Sequence, residues 1–439
     1  VTKVKDGHTV ENTATQVTND KRDKTNTVTN PLKEINPTKD VTVQVGGDSI
    51  DGKSVYLNHT FLYRLDSSIL PPDRAYQTVT DWGGTDQLNT EYDQYLGNWA
   101  VYASRDLYRD GQVLAARGEK IAGSGFDSSK FGGNLFTVDA DDNGKVTVNA
   151  TQAYLDLVSA DNEHEAGWVL YLQCKRIAVA DEVPNTWTET INGQPRESNK
   201  VVTKTPDMTP SIHLEKVDTP TLKQDGQEQA DRDDPKQALK MDADNIGITF
   251  IITNTSKTDP ATGDGAWYKA SDLNLADSTI VGDAHVDMDS LTYPDNWDTL
   301  VLKPGESVSV TGTLKGVKEG DTHTDRAIVT GTPLVECAPS NGDPFNDKTD
   351  GGEDTDPEYS TGDVTEIDGK QLCADTQTTS NTDDWNGYRA KPLASTGTAV
   401  LGLAGGALAV LLAGGSLLVF RKRHYAQGSG RHTAVNAGK

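Results

Sequence analysis

Short runs of β-branched and aromatic residues recur along the chain and alternate with polar positions. Val41–Val45, Gly167–Leu172 and Ile248–Thr253 are examples. Turn residues, such as those of Asp141–Gly144, separate the runs. This pattern predicts antiparallel strands, and their length and spacing are typical of β-sandwiches. The predicted fold class is therefore mainly β, with tandem immunoglobulin-like β-sandwich domains.

One segment has the periodicity of a helix instead. Within Thr151–Val158, the side chains of Tyr154, Leu155 and Val158 fall on one helical face. We expect one short helix at this place.

Three similar phrases end in proline and divide the chain. Each phrase is a short β-branched strand, and proline suits a joint between domains because it cannot continue a central ladder. The phrases are Lys24–Pro31, Glu197–Pro206 and His323–Pro333. If each is the last strand of a domain, then residues 1–30 end a truncated upstream domain, 31–206 form a first domain and 207–335 a second. Because Val1 does not open a signal peptide, we expect the chain to be part of a longer secreted protein.

Residues 336–392 differ in composition from the two domains. They are rich in Asp and Glu and contain few apolar residues. Such a segment cannot bury enough surface to offset its ordering entropy, and its charges repel one another. We expect an extended, flexible and protease-sensitive stalk that crosses the cell wall.

An uncharged apolar run occupies Thr398–Phe420, and Arg421–Arg423 follow at once. The run is long enough to cross a bilayer as a helix, and positive residues stay on the cytoplasmic side. The sequence therefore predicts one C-terminal transmembrane helix with everything before it outside the cell.

A pentapeptide directly before this run resembles the sortase sorting signal. Its residues are Leu393, Ala394, Ser395, Thr396 and Gly397, where the usual form is Leu-Pro-x-Thr-Gly. The resemblance assigns 393–439 as a sorting signal. It implies that a sortase cuts between Thr396 and Gly397 and joins Thr396 to the peptidoglycan of a Gram-positive wall. A permanently membrane-bound protein is the alternative.

The net charge and the motifs limit which binding partners and which reactions are expected for this chain. A net charge of −25 excludes nucleic acid and anionic membrane surfaces, which an acidic field repels. Gly47–Ser54 matches the phosphate-binding loop pattern, but strand-like residues follow it where a helix is needed. No Gly-x-Ser-x-Gly motif occurs either. We therefore do not expect an ordinary enzyme or a required cofactor.

Asp139, Asp141 and Asn143 imitate the start of an EF-hand loop. Ala150 stands at the twelfth position, where Glu is expected. Two interpretations stay open, a hairpin turn, which we favour, and a structural Ca²⁺ site.

The chain has three cysteines, Cys174, Cys337 and Cys373. Cys337 and Cys373 flank one polar stretch and could form a disulfide outside the cell, which would leave Cys174 odd and buried. Three unpaired thiols are the alternative.

Residues 31–206 resemble a C-terminal domain of the streptococcal antigen I/II adhesins. The phrases that carry the resemblance cover nearly the whole domain and are Asn36–Val41, Ser54–Asn58, Phe61–Tyr63, Arg74–Gln77, Tyr92–Tyr102, Ile121–Asp127, Ala150–Asp161 and Gln173–Ile177. The resemblance implies a sandwich in an adhesin stalk, a spontaneous Lys–Asn isopeptide bond, a bound Ca²⁺, and host or microbial surface glycoproteins as partners.

With that resemblance, we predict an isopeptide bond between Lys39 in the first strand and Asn199 in the last, since these strands can be neighbours in a sandwich. Asp66 is the predicted promoting acid and Asp81 the second candidate. Burial lowers the pKa of an amine and raises that of a carboxyl, as the reaction requires. Without the resemblance, the residues alone favour a different interpretation, in which Lys39 is a solvated lysine on an edge strand and Asn199 is a turn residue.

Two further positions follow from the same phrases. Asn26 matches Asn199 and would serve the upstream domain. Asp325 occupies this place in the second domain and suggests a Lys216–Asp325 bond.

The second domain resembles DUF11-type immunoglobulin-like repeats of bacterial surface proteins through Ile248–Ser256 and Leu302–Gly312. Two function classes remain. One is a wall-anchored adhesin stalk that presents an adhesive head and itself binds a ligand. The other is a passive spacer and anchor for a surface enzyme whose catalytic domain lies upstream.

Overall fold

The structure is a computed structural model that describes residues 9–31, 35–74, 77–219, 232–338, 345 and 364–392. The predicted sorting signal and transmembrane run lie outside these residues. Within the described part of the chain, no helix is long and apolar enough to cross a membrane.

The first element is an isolated hairpin of β1 (Thr9–Thr18) and β2 (Lys21–Pro31). Asn19 and Asp20 form its two-residue turn, and both have positive φ, as such hairpins require. Asn26 lies exposed on β2.

The first domain is a sandwich of two antiparallel five-stranded sheets. Its strands are β3 (Thr38–Thr42), β4 (Thr60–Asp66), β5 (Trp82–Gln87), β6 (Asp93–Ala103), β7 (Leu107–Arg109), β8 (Gln112–Ala115), β9 (Lys120–Gly123), β10 (Phe136–Ala140), β11 (Lys145–Ala150), β12 (Trp168–Arg176), β13 (Ala180–Asn185), β14 (Trp187–Ile191), β15 (Gln194–Glu197) and β16 (Val201–Thr205). One sheet has the order β3-β4-β12-β6-β9 and the other β10-β11-β5-β14-β15. β13 pairs with β16, and β7 with β8.

The predicted helix is confirmed as α1 (Gln152–Ala160), with Tyr154, Leu155 and Val158 buried on one face. Between the sheets these residues join a core that includes Trp82 and Trp168. A short 3-10 helix, Ser129–Phe131, lies between β9 and β10.

The second domain has its own core and two main sheets. Its strands are β17 (Ile212–Asp218), β18 (Leu239–Lys240), β19 (Asn245–Asn254), β20 (Tyr268–Lys269), β21 (Asn274–Val281), β22 (His285–Val286), β23 (Val301–Leu302), β24 (Ser307–Lys315), β25 (Thr322–Gly331), β26 (Leu334–Glu336), β27 (Val364–Ile367), β28 (Lys370–Ala374), β29 (Thr378–Thr379) and β30 (Asp383–Tyr388). One sheet is β17-β19-β24-β22, and the other is β18-β30-β25-β21 with β29 on β25. β20 pairs with β23. Short 3-10 helices cover Pro235–Gln237, Ala270–Asp272 and Met288–Ser290.

Part of the predicted acidic stalk belongs to this second domain, which corrects its boundary. β30 pairs with β25 and β18, and Trp385 is fully buried in the core. The Trp385 indole donates a hydrogen bond to Asp218 Oδ1 at 2.7 Å. One buried tryptophan therefore recruits a strand from a segment whose composition is that of a disordered linker.

Cys337 and Cys373 form a disulfide, with their Cα atoms 4.9 Å apart. It joins the end of β26 to β28 in a small three-stranded sheet, β26-β28-β27. Cys174 is a buried free thiol.

The two domains touch through polar side chains. Ser54 donates to Asp259 Oδ2 at 2.9 Å, and the Tyr56 hydroxyl donates to Asp264 Oδ2 at 3.1 Å. Within the second domain, Lys370 pairs with the same Asp264.

Candidate functional site

A buried lysine lies between the two sheets of the first domain. β3 pairs Lys39 with Leu65, so that its side chain points into the sandwich, and the residue is 3% exposed. Its ammonium pairs with Asp86 on β5 of the facing sheet. Nζ also lies 4.5 Å from the centre of the Tyr63 ring. Burial lowers the pKa of Lys39, and Asp86 partly offsets this effect.

Asn185 is a buried residue whose neighbours along the chain and in the sheet contact β3. It pairs with Val201 in the β13–β16 ladder, and Asn199, two residues before Val201, binds the backbone of Lys39. Trp187, two residues after Asn185, pairs with Asp86 and donates Nε1 to Thr38 O at 3.0 Å. Since side chains two apart share a face of extended chain, Asn185 points inward with Trp187.

The polar atoms here are unusually short of partners. Asn185 Nδ2 and Asp86 Oδ1 are buried without a hydrogen-bond partner in the described structure. Orphaned buried polar atoms are rare and call for an explanation. Transamidation requires an amine, a carboxamide and a carboxyl group that transfers protons, held together where water is excluded. The interior of this sandwich contains all three groups.

Asn199 is not positioned as the sequence predicted. Its Oδ1 accepts a hydrogen bond from Lys39 N, and its Nδ2 donates one to Lys39 O, both at 2.8 Å. Both polar atoms of the amide are thus engaged with the backbone of β3, away from Nζ. Asn199 itself is exposed at the start of β16. It is a clamp on the edge strand, so the predicted pairing of its side chain with the Lys39 amine is wrong.

Asp66 is not beside the amine either. It pairs with Thr38, one residue away from Lys39 in register, so its side chain points to the opposite face of the sheet. There it bonds to Arg64 at 2.8 Å and lines a cleft of about 570 Å³ with Arg105, Arg117 and others. Asp81, the second candidate, accepts a bond from Gly193 N at 3.1 Å. Asp86 is the acid that the fold places at Lys39.

The predicted calcium ligands form a hairpin turn between β10 and β11. Asp141 Oδ1 accepts hydrogen bonds from Asn143 N at 2.9 Å and Lys145 N at 3.0 Å. Asp139 is exposed on β10. Among the described residues, no group of three or more His, Cys, Asp or Glu could hold a metal ion.

Two family models match the first half of the chain. Residues 36–206 match the family described as cell surface antigen C-terminus. Residues 1–32 match the cell surface antigen I/II C2 terminal domain. This part of the chain is similar to the C-terminal region of antigen I/II-type surface proteins.

Similar proteins carry the same region within longer chains. An aggregation substance of Enterococcus faecalis is 36% identical over 201 residues, which are 45% of this chain and 14% of that protein. The C-terminal domain of the antigen I/II-family protein AspA of Streptococcus pyogenes is 27% identical, with a TM-score of 0.39 over 45% of this chain and 54% of that one. The C-terminal domain of the Streptococcus agalactiae AgI/II polypeptide BspA is 22% identical, with the same TM-score, over 45% and 59%. The chain thus spans only a small part of the curated relative and about half of these structures.

The sequence contains one signal that indicates Asn185, a phrase that is repeated in the antigen I/II region. Asn185-Thr-Trp-Thr precedes Asn199 by the same spacing at which Asn12-Thr-Ala-Thr precedes Asn26. The phrase that contains Asn199 is the more conspicuous of the two because it ends in proline. No comparable phrase in the sequence indicates Asp86. It reaches Lys39 only because the two sheets pack face to face.

Proposed function

We propose that this chain is the wall-proximal stalk of a cell-surface adhesin, and that its first domain is closed by an isopeptide bond between Lys39 and Asn185. The observation that carries the proposal is the buried Lys39–Asp86 pair, together with the buried Asn185, whose Nδ2 has no hydrogen-bond partner among the described residues. The antigen I/II type of the region supports a place on the cell surface and a role in adhesion.

The reaction balances without a cofactor. The Lys39 ammonium gives a proton to Asp86, and the neutral amine attacks Cγ of Asn185. Asp86 returns that proton to the departing nitrogen and takes a second proton from the attacking nitrogen, so the C–N bond of the carboxamide breaks and ammonia leaves. Each domain reacts once, which is chemistry of assembly rather than turnover. The bond ties β3 to β13, so a force along the chain cannot separate them without breaking a covalent bond.

Intact mass and peptide mapping of the purified chain test this bond. We expect Lys39 and Asn185 in one branched peptide that is lighter than its two components by one ammonia. Lys39→Ala and Asn185→Ala should each restore the full mass, whereas Asn199→Ala should leave the bond in place. An unmodified Lys39 in folded wild-type protein would overturn the cross-link.

The anchoring step is part of the same proposal. A sortase would cut between Thr396 and Gly397 and join Thr396 to peptidoglycan. On cells that express the protein, wall-degrading enzymes should release a form that ends at Thr396, and Thr396→Ala should prevent this. Extraction by detergent alone of a form that retains residues 397–439 would instead show a membrane-bound protein.

Binding of host or microbial surface glycoproteins completes the proposal. The cleft beside Arg64, Arg105 and Arg117 is a concave surface of the first domain that offers cationic groups to a ligand. Loss of cell or glycoprotein binding in an Arg105→Ala and Arg117→Ala double variant, with an unchanged melting temperature, is the expected result. Unaltered binding would exclude this cleft.

A further inference from the structure

A second buried lysine lies inside the second domain, between two carboxylates. Lys216 on β17 is fully buried, and its ammonium pairs with Asp277 on β21. Nζ also lies 2.6 Å from Oδ1 of Asp325 on β25, which is fully buried as well. β17 belongs to one sheet and β21 and β25 to the other, so the three groups meet across the sandwich interior.

These charges are costly to keep as an ordinary salt bridge. Two carboxylates face one ammonium, and removing each ion from water is expensive unless hydrogen bonds satisfy it. Among the described residues, neither oxygen of Asp325 has a hydrogen-bond partner of normal geometry, although Oδ1 lies close to Nζ and Oδ2 lies 3.1 Å from His323 Nε2. His323 is itself buried.

In both domains, an asparagine side chain forms two hydrogen bonds to the backbone of the strand that carries the lysine. Asn381 Oδ1 accepts from Leu214 N, and its Nδ2 donates to Leu214 O, both at 2.9 Å, as Asn199 does to Lys39. Ser380 before it donates to Asn381 O, as Ser198 does to Asn199 O. The two Ser-Asn pairs are therefore equivalent positions, and each lies just before the last strand of its domain.

When these two Ser-Asn pairs are taken as equivalent, the lysine of the second domain lies two residues further along its strand than the lysine of the first domain. Lys216 lies two residues beyond the clamped Leu214, whereas Lys39 is itself the clamped residue. Asn185 pairs with Val201, two residues after its clamp, and Asp325 pairs with Trp385, four residues after its own. Both the lysine and its candidate partner have thus moved by two positions, so Asp325 stands to Lys216 as Asn185 stands to Lys39.

We propose that Lys216 and Asp325 form an amide bond, with Asp277 as the promoting acid. This inference rests on the second domain alone and does not require a bond at Lys39. The Lys216 ammonium passes a proton to Asp277, and the neutral amine attacks Cγ of Asp325. A C–O bond of Asp325 breaks, and that oxygen leaves as water with protons that come from the ammonium. One ammonium and one carboxylate thereby become one neutral amide, which removes two buried charges.

The arrangement distinguishes the roles of the two acids. Asp277 accepts a hydrogen bond from Nζ and is the group that exchanges protons with it. Burial raises the pKa of Asp277 to about 6, and the neighbouring Asp325 adds to this rise. Nζ lies close to Asp325 Oδ1 but not at hydrogen-bond angles. Because Asp325 is fully buried, water is excluded from its carboxyl carbon during attack.

Peptide mapping of the whole, disulfide-reduced chain tests the proposal. We expect trypsin not to cut after Lys216 and a branched peptide that contains Lys216 and Asp325 and is lighter than its components by one water. This loss differs from the ammonia expected at Lys39, so the two bonds succeed or fail separately. Asp277→Asn should leave Lys216 unmodified.

Asp325→Asn provides the sharper control, because it changes the leaving group and not the product. The branched peptide should have the wild-type mass, while the whole variant is lighter than its sequence by ammonia instead of water at this site. Asp325→Ala should abolish the bond. Circular dichroism and slow exchange of the β19 amides establish that each variant is folded. A free Lys216 in folded wild type, or a bond to Asp277, would overturn the assignment.

Discussion

Asn199 holds the backbone of Lys39 through two hydrogen bonds of 2.8 Å, one on each side of the residue. The contact fixes β3 against the start of β16 and aims the Lys39 side chain into the sandwich. An asparagine that positions the lysine strand is distinct from Asn185, the residue that we propose reacts with the amine, and the two roles can be separated by mutation.

Asn199→Ala should lower stability and leave the cross-link intact. Two hydrogen bonds are lost, and each contributes about 1 kcal/mol net, so we expect a fall of about 1–2 kcal/mol in the free energy of unfolding. Asn381→Ala is the matched change in the second domain and should destabilise only that domain. Denaturant unfolding combined with intact mass measures both effects. Loss of the Lys39 cross-link in folded Asn199→Ala protein would contradict this separation of roles.

Trp385→Ala should unfold or strongly weaken the second domain. The substitution removes a fully buried side chain and its hydrogen bond to Asp218. Truncation of a core aromatic costs about 3–5 kcal/mol. In wild type, the amides of β30 should exchange slowly, unlike those of a flexible stalk. Thr379→Ala, a change at an exposed position of the same segment, is the control and should have little effect. Fast exchange through Asp383–Tyr388 in wild type would disprove the integration of β30.

Glu189→Gln should flatten the pH dependence of stability just above pH 4.5. Glu189 Oε1 accepts bonds from Ser68 N at 2.9 Å and Trp82 Nε1 at 2.8 Å, and burial raises its pKa from the ordinary value of 4.5. A raised pKa means that the folded state binds the proton more tightly than the unfolded state. Its contribution to stability is therefore complete below pH 4.5 and is lost as the pH rises through the folded pKa.

Urea unfolding from pH 4 to 7 measures this effect. The exposed Glu197→Gln change is the control and should keep the wild-type slope. An identical slope in wild type and Glu189→Gln would show that Glu189 does not titrate in this window.

Ser54→Ala combined with Tyr56→Phe should loosen the joint between the domains without destabilising either one. Both hydroxyls donate to carboxylates of the second domain, and burial raises the pKa of Tyr56 to about 12, so its proton stays in place at neutral pH. We expect a broader distribution of distances between spin labels on the two domains, with unchanged unfolding of each. Tyr293→Phe, at an exposed site of the second domain, is the control. An unchanged distribution in the double variant would mean that these bonds do not set the joint.

The sequence by itself determined the strand-rich architecture and the helix at Gln152–Ala160, and the phrase around Lys39 carried part of the resemblance to the antigen I/II domains. These features depend on local periodicity, or on a phrase that the chain displays in order. It did not determine that Asp86 pairs with Lys39, nor that Asp277 pairs with Lys216. Those residues are far apart along the chain, and only the packing of one sheet on another brings them together.

The register of the strands decided the rest. Asp66 and Lys39 lie in paired strands, but a difference of one residue in register puts their side chains on opposite faces, which no composition reveals. In the same way, the acidic composition of residues 364–392 predicts disorder and gives no sign that Trp385 packs into the core of the second domain. A single large apolar side chain with a pocket to fill can order a strand whose average polarity predicts disorder. Only the tertiary structure shows that this pocket exists.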